Sequence, residues 1–161
     1  MNAKQQATPS KHPAVSSTTQ PPRRGAVAVV VRQARLLVIE RSQFVRAPGA
    51  HCFPGGGIEQ GETEQSALRR ELREELQAEI RPLRRLWECV TASRVHLAWW
   101  QAELIGEGGL LAEPAEVASV HWMLPAEMLA LPTLLETNRR FLEALARGEF
   151  TVDGLAADRA D

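Results

Sequence analysis

The 161-residue chain has little of what would mark several large classes of protein. It contains two cysteines, Cys52 and Cys89, with no CxxC pair and no histidine at ligand spacing, so we expect neither a zinc site nor a disulfide framework, and a reducing cytoplasm as the location. A net charge of −1 gives no overall attraction for nucleic acid or an anionic membrane surface. No apolar run approaches the roughly 20 residues that span a bilayer, so no membrane partner is expected.

The two ends of the chain differ in composition from its centre. The first 22 residues are polar, contain four prolines and lack an apolar run of signal-peptide length. Low hydrophobicity of this kind predicts a flexible tail over residues 1–22. The remaining length is enough for one well-buried core. We therefore predict a single domain over residues 23–150 and a short C-terminal tail over residues 151–161.

Hydrophobic periodicity predicts strands and helices along this domain. The segments GAVAVVV (25–31) and RLLVIER (35–41) are typical of buried strands joined by a hairpin at Gln33. A loop rich in Pro and Gly, RAPGAHCFPGGG (46–57), is predicted next. A helix is predicted from about Thr63, its N-cap, to Leu76. The remaining predictions are strands over 82–90, 95–104 and 117–124, a helical turn at Pro125, and a helix over 134–148. This order indicates an α+β fold, an α/β/α sandwich with a mixed β-sheet between helices.

The first predicted helix gathers acidic side chains on one face. Glu71, Glu74 and Glu75 are spaced i, i+3 and i+4, so their carboxylates project from neighbouring points. Two carboxylates about 4 Å apart repel each other by roughly 4 kcal/mol at an effective dielectric of about 20. Nearby arginines are one way to offset this repulsion, but Arg73 and Glu74 are adjacent and do not face each other. A hard divalent cation, Mg²⁺ or Mn²⁺, explains the cluster better, because it takes oxygen ligands and is commonly shared with substrate phosphates.

Three consecutive glycines, residues 55–57, precede this helix. Glycine allows positive φ and a close approach of the backbone to a ligand, so a main-chain carbonyl can join a metal shell. The N-terminus of the helix offers amide donors and the positive end of a dipole to phosphate. Together, the glycines, the acids and the helix start suit attack of water on a phosphorus atom held by metal ions.

The glycines and acids belong to one spaced pattern: Gly56, five residues, Glu62, seven residues and then Arg70-Glu71-Leu72-Arg73-Glu74-Glu75. This pattern, which runs here from Gly56 to Ala78, resembles the signature box of the Nudix (MutT-like) hydrolases. The predicted strands agree with the order in that family from about residue 24 to 147. One position departs from the pattern, because Gln77 stands where the box has a glycine. Either Gln77 adopts the left-handed conformation, at roughly 1–2 kcal/mol, or the helix continues past it.

The resemblance implies a set of metal ligands. Glu74 and Glu75 are expected to bind Mg²⁺ or Mn²⁺, with the carbonyl oxygen of Gly55 as a further ligand. Glu71 is a candidate either for a metal ligand or for the catalytic base.

The resemblance also implies supporting and catalytic roles. Arg70 would orient Glu71, and Glu62 would support the junction of loop and helix through Arg70, beside Gly56 at the start of the box. Family members differ in whether the base lies inside the box. Glu116 is the candidate outside it, and an exposed acid without a role is the alternative at that position.

The sequence contains fewer indications of the substrate than of the metal site. Arg41 and Arg46 lie in a segment similar to that of the coenzyme A diphosphatases of the family, and two arginines on one loop can grip extra phosphates. The alternative is that Arg41 ends a strand and Arg46 is a solvated loop residue. Of Trp99 and Trp100, adjacent on a strand, one should be core and the other, which we take to be Trp100, a candidate to line the substrate cleft.

Asparagine and histidine residues are weaker candidates for the substrate site. An exposed position on the last helix is favoured for Asn138, although reading a base edge is possible there. No role is assigned to His51, His96 or His121.

The function implied is a Mg²⁺-dependent (or Mn²⁺-dependent) hydrolase that cleaves a diphosphate bond in a nucleoside diphosphate linked to another moiety. A coenzyme A diphosphatase and a non-catalytic nucleotide-binding module are the alternatives. The expected partner is a small nucleotide-type substrate rather than nucleic acid, and the expected state is a monomer or homodimer.

Overall fold

A computed structural model of the chain describes residues 22–106 and 108–155. The predicted N-terminal tail, apart from Pro22, and residues 156–161 of the predicted C-terminal tail lie outside the described residues. Among the described residues, no helix combines the length and apolarity needed to cross a membrane.

Within residues 22–106 and 108–155, seven strands form the predicted mixed sheet, five of which the sequence predicts. In chain order they are β1 (Arg24–Arg32), β2 (Arg35–Arg41), β3 (His51–Cys52), β4 (Gly55–Gly57), β5 (Ile80–Val90), β6 (His96–Leu104) and β7 (Val117–Met123). The order across the sheet is β3-β2-β1-β6-β5, with β4 also paired to β1 and β7 to β2. Strands β1 and β6 run parallel, and the other pairs are antiparallel.

The β1–β2 hairpin turns at Gln33 and Ala34. Both residues have positive φ, 50° and 57°, which is the geometry of a two-residue turn whose twist matches the flanking strands. The two strands pair only next to this turn, at Val31 with Leu36 and Arg32 with Arg35. Beyond it they separate, so that β4 pairs with the first half of β1 and places the glycines against the centre of the sheet.

Helices cover both faces of the sheet. They are α1 (Glu64–Leu76), α2 (Pro125–Leu129) and α3 (Glu136–Ala146). Leu68, Leu72 and Leu76 of α1 join Ala26 and Ala28 of β1 in one buried cluster. Phe141 and Leu142 of α3 pack with Val29, Phe53 and Trp99 in a second cluster on the opposite face. The predicted α/β/α sandwich is confirmed, and Trp99 is the core residue of the tryptophan pair.

Three details differ from or complete the sequence prediction. The Gly-rich segment before α1, predicted as a loop, contains the short strands β3 and β4. Helix α1 ends at Leu76, and Gln77 takes the left-handed conformation (φ 51°, ψ 33°) that the family's glycine would adopt. Residues 151–155, assigned by sequence to a tail, contact the sheet: Val152 is buried, and the Gln101 side chain bonds the backbone of Asp153.

Candidate active site

The start of α1 is fixed by a capping box. The Thr63 hydroxyl accepts a hydrogen bond from the Ser66 amide at 3.1 Å, and the Thr63 amide donates to the Ser66 hydroxyl at 2.9 Å. These bonds satisfy orphan amide groups of the first turn. The buried leucines then set the rotation of the helix, so that its acidic face turns toward β4.

Two glycines allow β4 to lie against this acidic face. A Cβ atom at Gly56 would overlap the carboxylate of Glu71, and one at Gly55 would overlap the backbone oxygen of Ala26. Gly55 also has φ of +142°, a conformation that other residues rarely adopt. The glycines are therefore required by the close approach of strand, helix and carboxylate.

Glu75 is the most buried acid of the cluster, with 6% of its surface exposed. Its Oε2 accepts a hydrogen bond from the Gly55 amide at 3.0 Å. Burial, together with the charges of Glu71 and Glu116, raises the pKa of Glu75 to about 8, although the Gly55 hydrogen bond and the Arg41 charge act to lower it. A carboxylate kept in this setting would be stabilised by a bound cation.

Glu71 and Glu74 complete the acidic face with different degrees of exposure. The side chain of Glu71 is 15% exposed and that of Glu74 is 57% exposed. Burial raises the pKa of Glu71, its bond and ion pair with Arg70 lower it, and the charges of Glu74 and Glu116 raise it. Glu71, Glu74 and Glu75 therefore form a graded set that runs from the buried Glu75 to the exposed Glu74.

Arg70 connects the acids to the loop before the helix. Its guanidinium donates to both carboxylate oxygens of Glu62 at 2.8 and 2.9 Å, to Glu71 at 2.9 Å and to the Gly57 carbonyl at 2.8 Å. The hydrogen bond from Arg70 is the main cause that lowers the pKa of Glu62 to about 2. The planar guanidinium of Arg70 thereby holds the loop, the helix and Glu71 in one arrangement. The ammonium group of a lysine would not reproduce this set of hydrogen bonds.

Glu116 approaches the acids from a different segment. The chain before β7 runs along the end of α1, where the Leu111 and Glu113 amides donate to the carbonyls of Leu76 and Glu75 at 3.0 and 2.8 Å. Glu116 is exposed, yet its charge raises the pKa of both Glu71 and Glu75. The structure thus brings the acid outside the box close to those inside it.

A cavity of about 360 Å³ opens beside the glycines. Its wall includes β4, the start of β1, Arg41, Phe53 and Asn138. The expectation that Asn138 is exposed was wrong: it is 4% exposed, and its Oδ1 accepts from the Phe53 amide at 2.8 Å. Sequence reasoning missed this role because the partner of Asn138 is a backbone amide 85 positions away.

The three predicted substrate-binding residues fall in different places. Arg41 lines the cavity and donates through Nε to the Arg46 carbonyl at 2.7 Å. Arg46 itself is exposed on the loop and is not part of the cavity wall. Trp100 packs on the α1 side, where its indole N–H donates to Glu64 at 2.8 Å, and it does not line the cavity either.

The chain belongs to the NUDIX family, because the family's sequence model for the NUDIX domain matches residues 21–145. The family and fold implied by the signature box are thereby confirmed. As a member, the protein is a pyrophosphohydrolase of a family that acts on small nucleotide-type substrates. No curated protein matches the chain.

Solved structures with the same fold support this assignment. The solution structure of the E. coli ORF135 protein is 28% identical, with a TM-score of 0.64 over 86% of this chain and 94% of that one. A MutT NUDIX hydrolase from Burkholderia pseudomallei is 26% identical, with a TM-score of 0.58 over 77% and 98%. An ADP-ribose pyrophosphatase from Streptococcus suis, 17% identical with a TM-score of 0.57 over 77% and 92%, shares the fold.

Proposed function

We propose that this protein is a Mg²⁺- or Mn²⁺-dependent hydrolase that cleaves the diphosphate bond of a nucleoside diphosphate linked to another moiety. The observation that carries the proposal is the burial of Glu75 next to Gly55, within reach of the charges of Glu71 and Glu116. A protein gains nothing in stability from gathering buried acids without a cation. Gly55, whose amide bonds Glu75, lines a cavity, and this position supports a catalytic purpose.

The donor set fits a hard divalent cation. Glu74, Glu75 and the Gly55 carbonyl would hold it, with Glu71 as a further oxygen donor, and all of these are oxygen ligands of the kind that Mg²⁺ and Mn²⁺ prefer. When bound, the ion supplies charge stabilisation to the phosphate oxygens and lowers the pKa of a bound water.

Side chains of this protein supply the remaining steps. Arg70 holds Glu71 by a 2.9 Å hydrogen bond, which fixes the carboxylate toward Gly56. A carboxylate, Glu71 or Glu116, takes the proton of the attacking water, and burial, which raises the pKa of Glu71, makes that carboxylate a stronger base. Arg41, at the cavity wall, is placed to bind a phosphate of the substrate.

The shape and lining of the cavity support a nucleoside-containing substrate. Its volume of about 360 Å³ lies within the range of small-molecule sites. The wall offers an apolar side chain, Phe53, and polar groups on Thr137 and Asn138 next to the backbone of β4. Two neighbours of the same fold are described as an ADP-ribose pyrophosphatase and a UDP-X diphosphatase, which are activities on nucleoside diphosphates joined to a second group.

The test is product analysis with Mg²⁺ and a panel of substrates. The panel contains ADP-ribose, NADH, diadenosine polyphosphates, normal and oxidised nucleoside triphosphates, and coenzyme A, which is included because Arg41 lines the cavity. Glu74→Gln removes a proposed ligand, and Glu79→Gln is the matched control, an exposed acid three residues beyond α1 that pairs with Arg73. We expect one compound to be cleaved at its diphosphate bond, with turnover lost in Glu74→Gln and kept in Glu79→Gln.

Two outcomes would contradict the proposal. Full activity of Glu74→Gln would show that this acid is not a metal ligand. Tight binding of a nucleotide without turnover of any compound would instead support a non-catalytic binding module.

A further inference from the structure

Three side chains with metal-binding donors meet on the face of the sheet opposite α1. They are Glu40 on β2, His51 on β3 and His121 on β7. Glu40 is paired directly with His51, and the neighbouring pair on the same face joins Val38 to His121. Because side chains alternate along a strand, Ile39 and Cys52 point to the α1 side and this cluster points away from it. The cluster is therefore separate from the acids of α1.

The donors are close enough to share one ion. One ligand atom from each residue lies within 4.8 Å of the others, and the two imidazole rings are 5.6 Å apart between centroids. All three residues are partly exposed, so an ion can reach them from solvent. Ligands at about 2.0–2.2 Å from a metal lie up to about 4 Å from each other, so small rotations of these side chains are sufficient.

Neighbouring hydroxyl groups hold the three residues in place. The Thr133 hydroxyl lies 2.8 Å from Nδ1 of His51, and the Ser119 hydroxyl donates to Glu40 at 2.7 Å while lying 2.7 Å from Nε2 of His121. Each ring therefore has one nitrogen engaged by a hydroxyl and the other outside that bond. A hydrogen bond to the second ring nitrogen is the arrangement that orients metal-binding histidines in proteins.

The charge of Glu40 also lacks a partner on this face. None of the ion pairs within residues 22–106 and 108–155 includes Glu40, although it is partly buried. Its hydrogen bond comes from a neutral hydroxyl, Ser119. A partly desolvated carboxylate beside two imidazoles has donors for a cation and no side-chain cation to neutralise it.

We propose that Glu40, His51 and His121 form a second metal site, which binds a divalent transition ion such as Zn²⁺ in preference to Mg²⁺. Two nitrogen donors and one carboxylate suit Zn²⁺, whereas Mg²⁺ prefers oxygen ligands alone. Three protein ligands leave a position for water. The expectation that the chain lacks a zinc site came from the spacing of its cysteines and histidines along the sequence, and it did not consider donors that the sheet brings together from β2, β3 and β7.

The position of the site links it to the wall of the cavity. His51 bonds the segment before α3 through its backbone, donating to the Thr133 carbonyl at 2.9 Å and accepting from the Leu135 amide at 3.0 Å. Leu135 and Asn138 both line the cavity. An ion bound at His51 would therefore link β2, β3 and β7 to the segment before α3, which forms part of the cavity wall.

The experiment titrates Zn²⁺ into the full-length protein with Mg²⁺ in excess, so that the carboxylates of α1 are already occupied. Binding is measured by calorimetry, and the imidazole ¹⁵N signals are followed by NMR. We expect one equivalent of Zn²⁺ to bind and to shift the signals of His51 and His121. We also expect the midpoint of thermal unfolding to rise by roughly 5–10 °C when free Zn²⁺ is 100-fold above its Kd.

Two substitutions and a control make the test specific. His51→Ala and His121→Ala should each weaken Zn²⁺ binding at least tenfold, whereas His96→Ala, which alters an exposed histidine of β6 outside the cluster, should leave it unchanged. The proposal is overturned if the Mg²⁺-saturated wild type binds no Zn²⁺. It is also overturned if the imidazole signals that shift belong to other histidines, a result that needs no variant to fold.

Discussion

Glu75→Gln is predicted to abolish turnover and yet to stabilise the metal-free protein at alkaline pH. In the folded protein, burial raises the pKa of Glu75 from 4.5 to about 8. One pKa unit corresponds to about 1.4 kcal/mol, so ionising this group costs the folded state at most roughly 5 kcal/mol above pH 8. Glutamine carries no charge, and its carbonyl oxygen can accept the same hydrogen bond from the Gly55 amide, so the variant avoids this cost.

The sign of the pH dependence follows from proton binding. Between about pH 4.5 and pH 8, the folded state holds the Glu75 proton and the unfolded state has released it. The contribution of Glu75 to the free energy of unfolding therefore falls as pH rises through this window and is constant above it. If 2–3 kcal/mol of the upper limit is realised, the midpoint of thermal unfolding of Glu75→Gln should exceed that of wild type by roughly 5–10 °C at pH 8.5 and by little at pH 5.

The assay is thermal unfolding of wild type and Glu75→Gln in a chelator, at pH 5 and pH 8.5. Glu79→Gln, an exposed acid, is the control and should show no such rise. Adding Mg²⁺ should stabilise wild type and have little effect on Glu75→Gln. The reasoning is refuted if Glu75→Gln is less stable than wild type at pH 8.5 in chelator, or if the difference between them does not grow with pH.

Other substitutions test single contacts. Arg70→Lys should lower kcat roughly 10- to 100-fold with little change in fold, because lysine cannot bond both oxygens of Glu62 and the loop at once; unchanged steady-state kinetics would contradict this. Gln77→Gly should raise the free energy of unfolding by about 1 kcal/mol in urea titrations, since it removes the left-handed strain, and a loss of stability would refute the explanation. Asn138→Leu should lower the free energy of unfolding by about 1–3 kcal/mol in the same urea titrations, because it leaves the buried Phe53 amide unpaired, and unchanged stability would contradict this role of Asn138.

The arrangement of the candidate site on α1 could be predicted because its determinants are local in sequence. The acids, Arg70 and the glycines lie within one loop and one helix, where helical spacing and the signature box fix their relative positions. The same argument located Thr63 as the N-cap. It also left two alternatives at Gln77, a left-handed conformation or a helix that continues past it, and the structure has the left-handed conformation.

Residues whose roles depend on distant partners could not be predicted in this way. Alternation along β6 separates Trp99 from Trp100, but the bond from Trp100 to Glu64 depends on how α1 lies over the sheet. Asn138 has its role through a backbone amide at Phe53, which belongs to a segment predicted as loop. The cluster of Glu40 and two histidines exists because β2 lies between β3 and β7, an order that hydrophobic periodicity does not specify.

The most direct test of the central claim is hydrolysis in ¹⁸O-labelled water. The compound cleaved in the substrate panel is incubated with Mg²⁺ and the wild-type protein, and its products are analysed by mass spectrometry. Attack of water on phosphorus predicts two phosphate-bearing products, with the label in the phosphate of one of them, and no products with Glu74→Gln. Label in a product without phosphate, or products that form equally well with Glu74→Gln, would contradict metal-assisted cleavage of a diphosphate bond at this site.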